Sequence, residues 1–192
     1  MSHALKLPVR MTVQEFLEWD SGDGLRYELA DGEPRAMAPA SAIHAALQSE
    51  LNRLLGNHLR QHRPGCRVLT NPGVLPRMLS AQNFRSPDLG VTCSALSLGQ
   101  ATMPDPILLV EILSPSNQAK TWSNVWAYTS IPILQEILVL HSTRVTAEIL
   151  RRNADRQWPQ DTLSITGGDL FLDAIKFRVP LAEIYEGTGI TG

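Results

Sequence analysis

The chain has 192 residues, with 17 Lys and Arg against 19 Asp and Glu, which gives a formal net charge of −2. Hydrophobic residues make up 43% and charged residues 19%, a balance typical of a folded globular protein with a full core. A weakly acidic chain is not coated with basic residues that bind DNA non-selectively, so any nucleic-acid contact must use a local patch.

The sequence has no apolar run near the roughly 20 residues that a membrane span needs, and no signal-peptide core. We therefore expect a cytoplasmic protein without a membrane segment. Its two cysteines, Cys66 and Cys93, have neither a CxxC spacing nor a metal-binding one. Reduced thiols are the simplest expectation for such a pair.

The N-terminal part of the chain contains helix-capping and turn signals. Thr12 followed by Glu15 is a capping box, which predicts a short helix. The Asp31-Gly32 dipeptide, between two short strand-like runs, predicts a hairpin. Ser41 is the predicted N-cap of the longest helix, whose apolar residues recur on one face to about His62.

In the rest of the chain, predicted strands are separated by the turn-forming residues Pro, Gly and Asn. The predicted strands cover residues 66–70, 73–78, 86–93, 107–113, 134–141, 144–152 and 177–179. One helix is predicted after the "SPSN" cap, to about Ser130, and a short one over 180–185. We expect one α/β domain over 1–192, with a core of about 11–186, in which helices cover the faces of a mixed β-sheet.

The predicted strand Ile107–Leu113 contains an acidic residue in an otherwise apolar run. Its sequence, ILLVEIL, is typical of a strand covered on both faces, yet Glu111 lies inside it. Burying a lone carboxylate is costly, so Glu111 requires a cation, a hydrogen-bonded partner or a raised pKa. A structural ion pair with an arginine is the plainest alternative.

A second carboxylate, Asp88, begins the preceding predicted strand. If the two strands pair, Asp88 and Glu111 can project to one side of the sheet, where they repel unless they share a proton or a divalent cation. Oxygen ligands, without His or Cys at metal spacing, favour Mg²⁺ or Mn²⁺ over zinc. Taken alone, Asp88 also fits ordinary Pro-Asp turn chemistry.

The order of several short motifs carries a family resemblance. They are YELADGE (27–33), MAPASAIHAAL (37–47), SPDLGV (86–91), LLVEILSPSN (108–117) and PILQEILVL (132–140). Together they resemble a restriction-endonuclease family abundant in cyanobacterial genomes, within the PD-(D/E)XK nuclease-like superfamily. The resemblance covers about residues 11–186. It implies a restriction-endonuclease-like mixed β-sheet flanked by α-helices, and a metal-dependent endonuclease that hydrolyses phosphodiester bonds of DNA.

The resemblance also implies roles for individual residues. Asp88 and Glu111 would be catalytic, metal-ligating carboxylates, with the backbone carbonyl of Ile112 as a third ligand and Mg²⁺ or Mn²⁺ as the ion. Glu28 and His44 match an acidic and a histidine position of the family and are candidate catalytic residues that position the metal, its waters or the nucleic-acid backbone. Plainer interpretations are an outward-facing strand residue for Glu28 and a first-turn surface residue for His44.

The chain departs from the family pattern at its basic positions. The lysine of the superfamily, two residues after the second carboxylate, falls at Leu113, which can neither donate a proton nor hold charge. Anchored on Tyr128, the acidic, arginine and lysine positions of the family's next helix fall at Lys120, Thr121 and Asn124. Lys120 is a candidate catalytic replacement, although a solvated helix residue is the plainer interpretation.

These departures keep a second hypothesis open, a catalytically inactive nuclease-fold protein that acts in nucleic-acid binding or protein assembly. A small-molecule hydrolase that uses the same carboxylates is a third, but the chain has no G-x-S-x-G and no Cys-His signature. For the nuclease we expect a homodimer, because duplex cleavage needs two sites and two-fold pairing is the commonest oligomer.

Overall fold

The structure is a computed structural model that describes residues 10–191. Within them the chain forms four α-helices and ten strands. In chain order they are α1 (Val13–Glu18), β1 (Tyr27–Ala30), β2 (Glu33–Ala36), α2 (Ala42–His62), β3 (Arg67–Thr70), β4 (Leu89–Thr92), β5 (Pro106–Leu113), α3 (Gln118–Tyr128), β6 (Glu136–His141), β7 (Ala147–Arg151), β8 (Leu163–Ile165), β9 (Asp169–Leu172), β10 (Phe177–Pro180) and α4 (Leu181–Ile184). Among these helices, none combines the length and the apolar character that crossing a membrane requires.

The central sheet has six strands in the order β3-β4-β5-β6-β7-β8. The β5–β6 pair is parallel, and the other neighbours are antiparallel. Two hairpins, β1–β2 and β9–β10, form separate two-stranded sheets. The mixed sheet with flanking helices confirms the predicted fold class.

Helices cover both faces of this sheet. On one face, α2 contributes leucines such as Leu47 and Leu51 to a cluster that also contains residues of α4 and the β9–β10 hairpin. On the other face, Val125 and Tyr128 of α3 pack in a second cluster. Because β5 lies between these layers, all eight of its residues are buried. This burial explains why its sequence is apolar apart from Glu111.

The local signals of the N-terminal half are confirmed. Thr12 and Glu15 form the capping box of α1. The Ser41 hydroxyl accepts a hydrogen bond from the backbone N–H of His44 at 3.2 Å, which caps α2. Asp31 and Gly32 connect β1 to β2, both at positive φ (53° and 83°), a conformation that this dipeptide adopts readily. The hairpin and the first turn of α2 supply two of the candidate site residues.

The predicted strand over 73–78 is wrong. Gly73 and Val74 form only isolated bridges, to Thr102 and Arg85 respectively. Pro76 has no backbone N–H to donate to a neighbouring strand, which explains why pairing does not continue. Strands β8 and β9 were not predicted from the sequence, since their short runs lie among Gly, Ser and Asp residues.

The expectation of two reduced thiols is also wrong. Cys66 and Cys93 form a disulfide. They adjoin the paired residues Arg67 and Thr92, so the antiparallel register of β3 and β4 brings the two cysteines opposite each other.

Candidate active site

Asp88 lies directly before β4, where β5 extends past the end of its neighbour. The register pairs Leu89 with Val110. The Asp88 Oδ2 accepts a hydrogen bond from the backbone N–H of Ile112 at 2.6 Å, so this carboxylate continues the ladder beyond β4. The N–H and C=O of one strand residue point to the same side of the strand. The Ile112 carbonyl therefore also faces the Asp88 side of β5.

The second oxygen of Asp88 is held from α2. The Nε2 of His44 lies 2.8 Å from Asp88 Oδ1, with both side chains largely buried. The backbone carbonyl of Asp88 accepts hydrogen bonds from the Asn71 N–H at 2.9 Å and from the Gln48 side-chain amide at 2.8 Å. His44 is therefore not a free surface residue of the first turn, and Asp88 is fixed from three segments of the chain.

Glu111 is buried on the face of β5 that α3 covers, with 6% of its surface exposed. The Tyr128 hydroxyl donates a hydrogen bond to its Oε1 at 2.6 Å. Burial, and then the nearby negative charge of Asp88, hold the pKa of Glu111 well above its usual value. Among residues 10–191, no lysine or arginine lies within ion-pair distance of this carboxylate. An arginine ion pair at Glu111 is therefore excluded within that range.

Glu28 is fully buried in β1, so the outward-facing interpretation is wrong. The Lys120 Nζ lies 3.1 Å from its Oε1, and the Arg85 guanidinium lies 3.9 Å from the same atom. The side-chain N–H of Asn124 donates to Glu28 Oε2 at 3.2 Å. The side-chain oxygen Oδ1 of Asn124 accepts from the Arg85 guanidinium at 3.0 Å. Two cations and one amide thus compensate this buried carboxylate.

Lys120 differs from a solvated helix residue. Its side chain is only 33% exposed, and its ammonium reaches from α3 to Glu28 on β1. Leu113, where the resembling superfamily has its lysine, packs in the apolar cluster under α3. The ammonium group at this site therefore comes from a helix instead of the strand that carries Glu111.

One cleft of about 680 Å³ joins these residues, since Glu28, His44, Asp88, Glu111 and Lys120 all line it. Residues of the first turns of α2 and α3 line the cleft, and helix N-termini carry partial positive charge. The structure thus brings the five predicted side chains together.

The described part of the chain contains no group of three or more His, Cys, Asp or Glu residues arranged to hold a metal ion. An ion in the cleft would therefore be held by the carboxylates of Asp88 and Glu111, a backbone carbonyl and water. Such a set fits Mg²⁺, which keeps several waters and needs only one or two protein carboxylates. Glu111 is a buried carboxylate held by a hydroxyl instead of a cation, which also fits a neighbouring positive ion.

Arg85 was missed as a site residue, because it follows an irregular segment in which no periodic pattern gives side-chain direction. The contribution of α3 had a usable signal. Lys120, Asn124 and Tyr128 are spaced by four residues, so they share one helix face, and that face meets both Glu28 and Glu111.

Comparison with known proteins identifies the family of the chain. Residues 13–175 match the model of the Uma2 family, described as "Putative restriction endonuclease". The chain belongs to this family. A relative, "Uncharacterized protein slr1290" of Synechocystis sp. (strain ATCC 27184 / PCC 6803 / Kazusa), is 29% identical over 161 residues, which is 82% of this chain and 83% of the relative.

A solved structure shows the same fold. It is the crystal structure of a "putative nuclease belonging to DUF820" from Anabaena variabilis ATCC 29413, which superposes with a TM-score of 0.72 at 17% identity. The match covers 91% of this chain and 97% of the Anabaena chain. At this identity the likeness concerns the fold, and it agrees with the mixed sheet of this Uma2 family member.

Proposed function

We propose that this protein is a Mg²⁺- or Mn²⁺-dependent endonuclease that hydrolyses phosphodiester bonds of DNA. The observation that carries the proposal is the convergence of Asp88 and Glu111 on one cleft, in a chain of the family described as "Putative restriction endonuclease". Family membership supports nuclease activity, and the oxygen donors of the cleft support a hard divalent ion.

The residues present fit such an ion. Asp88 and Glu111 would hold it by their carboxylates, and Ile112 by its backbone carbonyl. A bound Mg²⁺ supplies a water of lowered pKa and stabilises negative charge on the scissile phosphate. Its positive charge would also favour the ionised form of Glu111, which burial and Asp88 now disfavour.

The surrounding residues would keep these groups in place. His44 and the Ile112 N–H each hold one oxygen of Asp88, which fixes the orientation of that carboxylate. Lys120 would present an ammonium group to the phosphate, replacing the lysine absent at Leu113. We assign Glu28 the role of anchoring Lys120, because its carboxylate already faces two cations and an amide.

A plasmid-nicking assay tests the proposal. Wild type should nick supercoiled DNA with Mg²⁺ or Mn²⁺ and not with EDTA, and Asp88→Asn and Glu111→Gln should each reduce the rate to that of the double variant. Lys120→Met should lower the rate at least tenfold, while Lys176→Met, which removes an exposed lysine paired with Asp173, should leave it unchanged. Metal-dependent nicking that persists in the double variant would contradict the proposed site.

A catalytically silent protein that binds nucleic acid or assembles with partners is the second candidate. The observation that favours it is the loss of charge at three family positions, since Leu113, Thr121 and Asn124 carry none. This candidate predicts wild-type nicking equal to that of the double variant, together with DNA binding that does not depend on metal.

A homodimer and a cytoplasmic location are further parts of the proposal. Two-fold pairing of identical chains is the commonest oligomer, and it would place two copies of the cleft in one assembly. Light scattering that gives the mass of one chain, 21.2 kDa, would contradict the dimer.

A further inference from the structure

A second, smaller pocket lies beside the cleft. It has a volume of about 260 Å³, and it shares Gly24 and Leu25 with the cleft as a common wall. We call it the aromatic pocket, since its other lining residues include Phe16, Trp19 and Tyr27. Its lining also contains Asp20 and Ser21, whereas Asp88, Glu111 and Lys120 of the candidate site do not line it.

The shape of the aromatic pocket is set by packing and by a hydrogen-bonded turn. Trp19 packs edge-on against Tyr27, with ring centroids 4.9 Å apart and an interplanar angle of 81°. The Tyr27 hydroxyl donates to Asp23 Oδ2 at 2.5 Å. The other oxygen of Asp23 accepts from the Ser21 hydroxyl and from the Leu25 N–H. These contacts hold the wall between the two pockets without any ligand.

The wall presents both polar and apolar groups to an extended molecule. The Leu25 side chain is 52% exposed at the boundary. Arg26, the next residue, lines the cleft, and Tyr27 lines the aromatic pocket. A molecule that crosses this wall would therefore meet a cation on the cleft side and aromatic rings on the other. That alternation matches a nucleotide, whose phosphate is anionic and whose base is flat and stacks on aromatic side chains.

We propose that the cleft binds nucleic acid as an unpaired strand, an inference that rests on the proposed function. A base of that strand would stack on the rings of the aromatic pocket, next to the phosphate bound in the cleft. The acidic groups are recessed, with 13% of the Asp88 side chain and 6% of Glu111 exposed. The cleft has the size of a small-molecule site, about 300–1,000 Å³, which admits a flexible strand more readily than a paired duplex. A base can enter the aromatic pocket only when it is unpaired.

Binding measured without catalysis tests this inference. Fluorescence anisotropy in EDTA compares a labelled single-stranded oligonucleotide with a hairpin duplex of the same strand sequence. The single strand should bind at least tenfold more tightly. Trp19→Leu should weaken single-strand binding about 5- to 150-fold, the equivalent of about 1–3 kcal/mol for one stacked base. Trp126→Leu, which removes an exposed tryptophan of α3 outside both pockets, should leave the affinity unchanged.

A ring-preserving variant separates stacking from folding. Trp19→Phe should keep most of the affinity, and a single strand that contains 2-aminopurine should lose fluorescence on binding to wild type and not to Trp19→Leu. Equal or tighter duplex binding, or equal affinities of wild type and Trp19→Leu, would overturn the inference. So would an apolar dye that binds the aromatic pocket and is not displaced by oligonucleotide, since that result indicates an apolar peptide site.

The two proposals fail in different ways. Trp19-dependent strand binding without metal-dependent nicking would remove the catalytic proposal and leave this one. Carboxylate-dependent nicking of duplex DNA that is indifferent to Trp19 would remove this inference alone.

Discussion

The backbone N–H of Ile112 donates a 2.6 Å hydrogen bond to the Asp88 carboxylate, and Ile112 directly follows Glu111. This hydrogen bond connects the segment of Asp88 to the strand that carries Glu111, and it does not require the negative charge of Asp88. Asp88→Asn can keep it through the amide oxygen. We therefore expect Asp88→Asn to keep the fold and to weaken Mg²⁺ binding at least tenfold by calorimetry, because it removes one of two ligand charges.

A matched variant controls for the loss of one charge. Asp105, just before β5 at the opposite end from Glu111, has a positive φ (43°) and accepts a hydrogen bond from Ser94. Asn tolerates that conformation well, so Asp105→Asn should bind Mg²⁺ like wild type. Equal loss of binding in both variants would indicate a general charge effect and not a site at Asp88.

The pH dependence of stability should report the burial of Glu111. Its pKa is raised by burial and by Asp88, so between the unfolded and folded pKa values the folded protein binds more protons than the unfolded chain. Stability must then fall as pH rises through that interval. Without metal, Glu111→Gln should remove this fall and raise Tm at pH 7.5 by a few degrees, since about 1 kcal/mol corresponds to about 2–4 °C in a domain of this size.

Thermal unfolding in EDTA at several pH values measures the effect. At pH 4, below the ordinary pKa of a glutamate, Glu111 is mostly protonated in both states, so wild type and Glu111→Gln should have nearly equal Tm values. A wild type that is more stable than Glu111→Gln at pH 7.5 without metal would show that the carboxylate is ionised and satisfied in the fold.

The parts of the fold that the sequence predicts well are those decided by local chemistry. The Ser41 cap and the Asp31-Gly32 turn act within four residues, so their signals can be read directly. The disulfide depends on the register between β3 and β4. The two cysteines that adjoin these strands are 27 residues apart in sequence. No local pattern encodes that register, and the cysteine spacing alone pointed to reduced thiols.

The residues of the candidate site also divide into those that the sequence identifies and those that only the packing of distant segments identifies. Asp88 and Glu111 stand out because carboxylates beside apolar strands conflict with their surroundings. Glu28 does not stand out, since its burial depends on how the β1–β2 hairpin packs against Arg85 and Lys120. Packing between distant segments therefore decides which charges compensate one another, and the sequence alone left Glu28 and Lys120 with two interpretations each.

Loss of Arg85 should be strongly destabilising. The guanidinium is nearly fully buried and lies 3.9 Å from Glu28, so Arg85→Met leaves a buried carboxylate with Lys120 as its remaining cation. We expect a loss of about 3–5 kcal/mol in the free energy of unfolding, measured by urea denaturation.

An exposed arginine of the β1–β2 hairpin, which also carries Glu28, gives the control. Arg35 lies 3.8 Å from Glu33 with both side chains exposed, so Arg35→Met should cost at most about 1 kcal/mol. Similar losses for the two variants would mean that Arg85 contributes no more than a surface pair and that Glu28 is compensated in another way.

The Cys66–Cys93 disulfide should stabilise the edge of the central sheet. It links β3 to β4 across 27 residues, and constraining an unfolded loop of that length contributes about 3–4 kcal/mol in the chain-entropy model. Reductant should therefore lower the Tm of wild type by several degrees, because the freed loop gains entropy when the chain unfolds. Reductant should leave the Tm of the double variant Cys66→Ser/Cys93→Ser unchanged. Thiol titration of wild type unfolded without reductant should find no free thiol, whereas two thiols per chain and a Tm insensitive to reductant would show that the bond does not form.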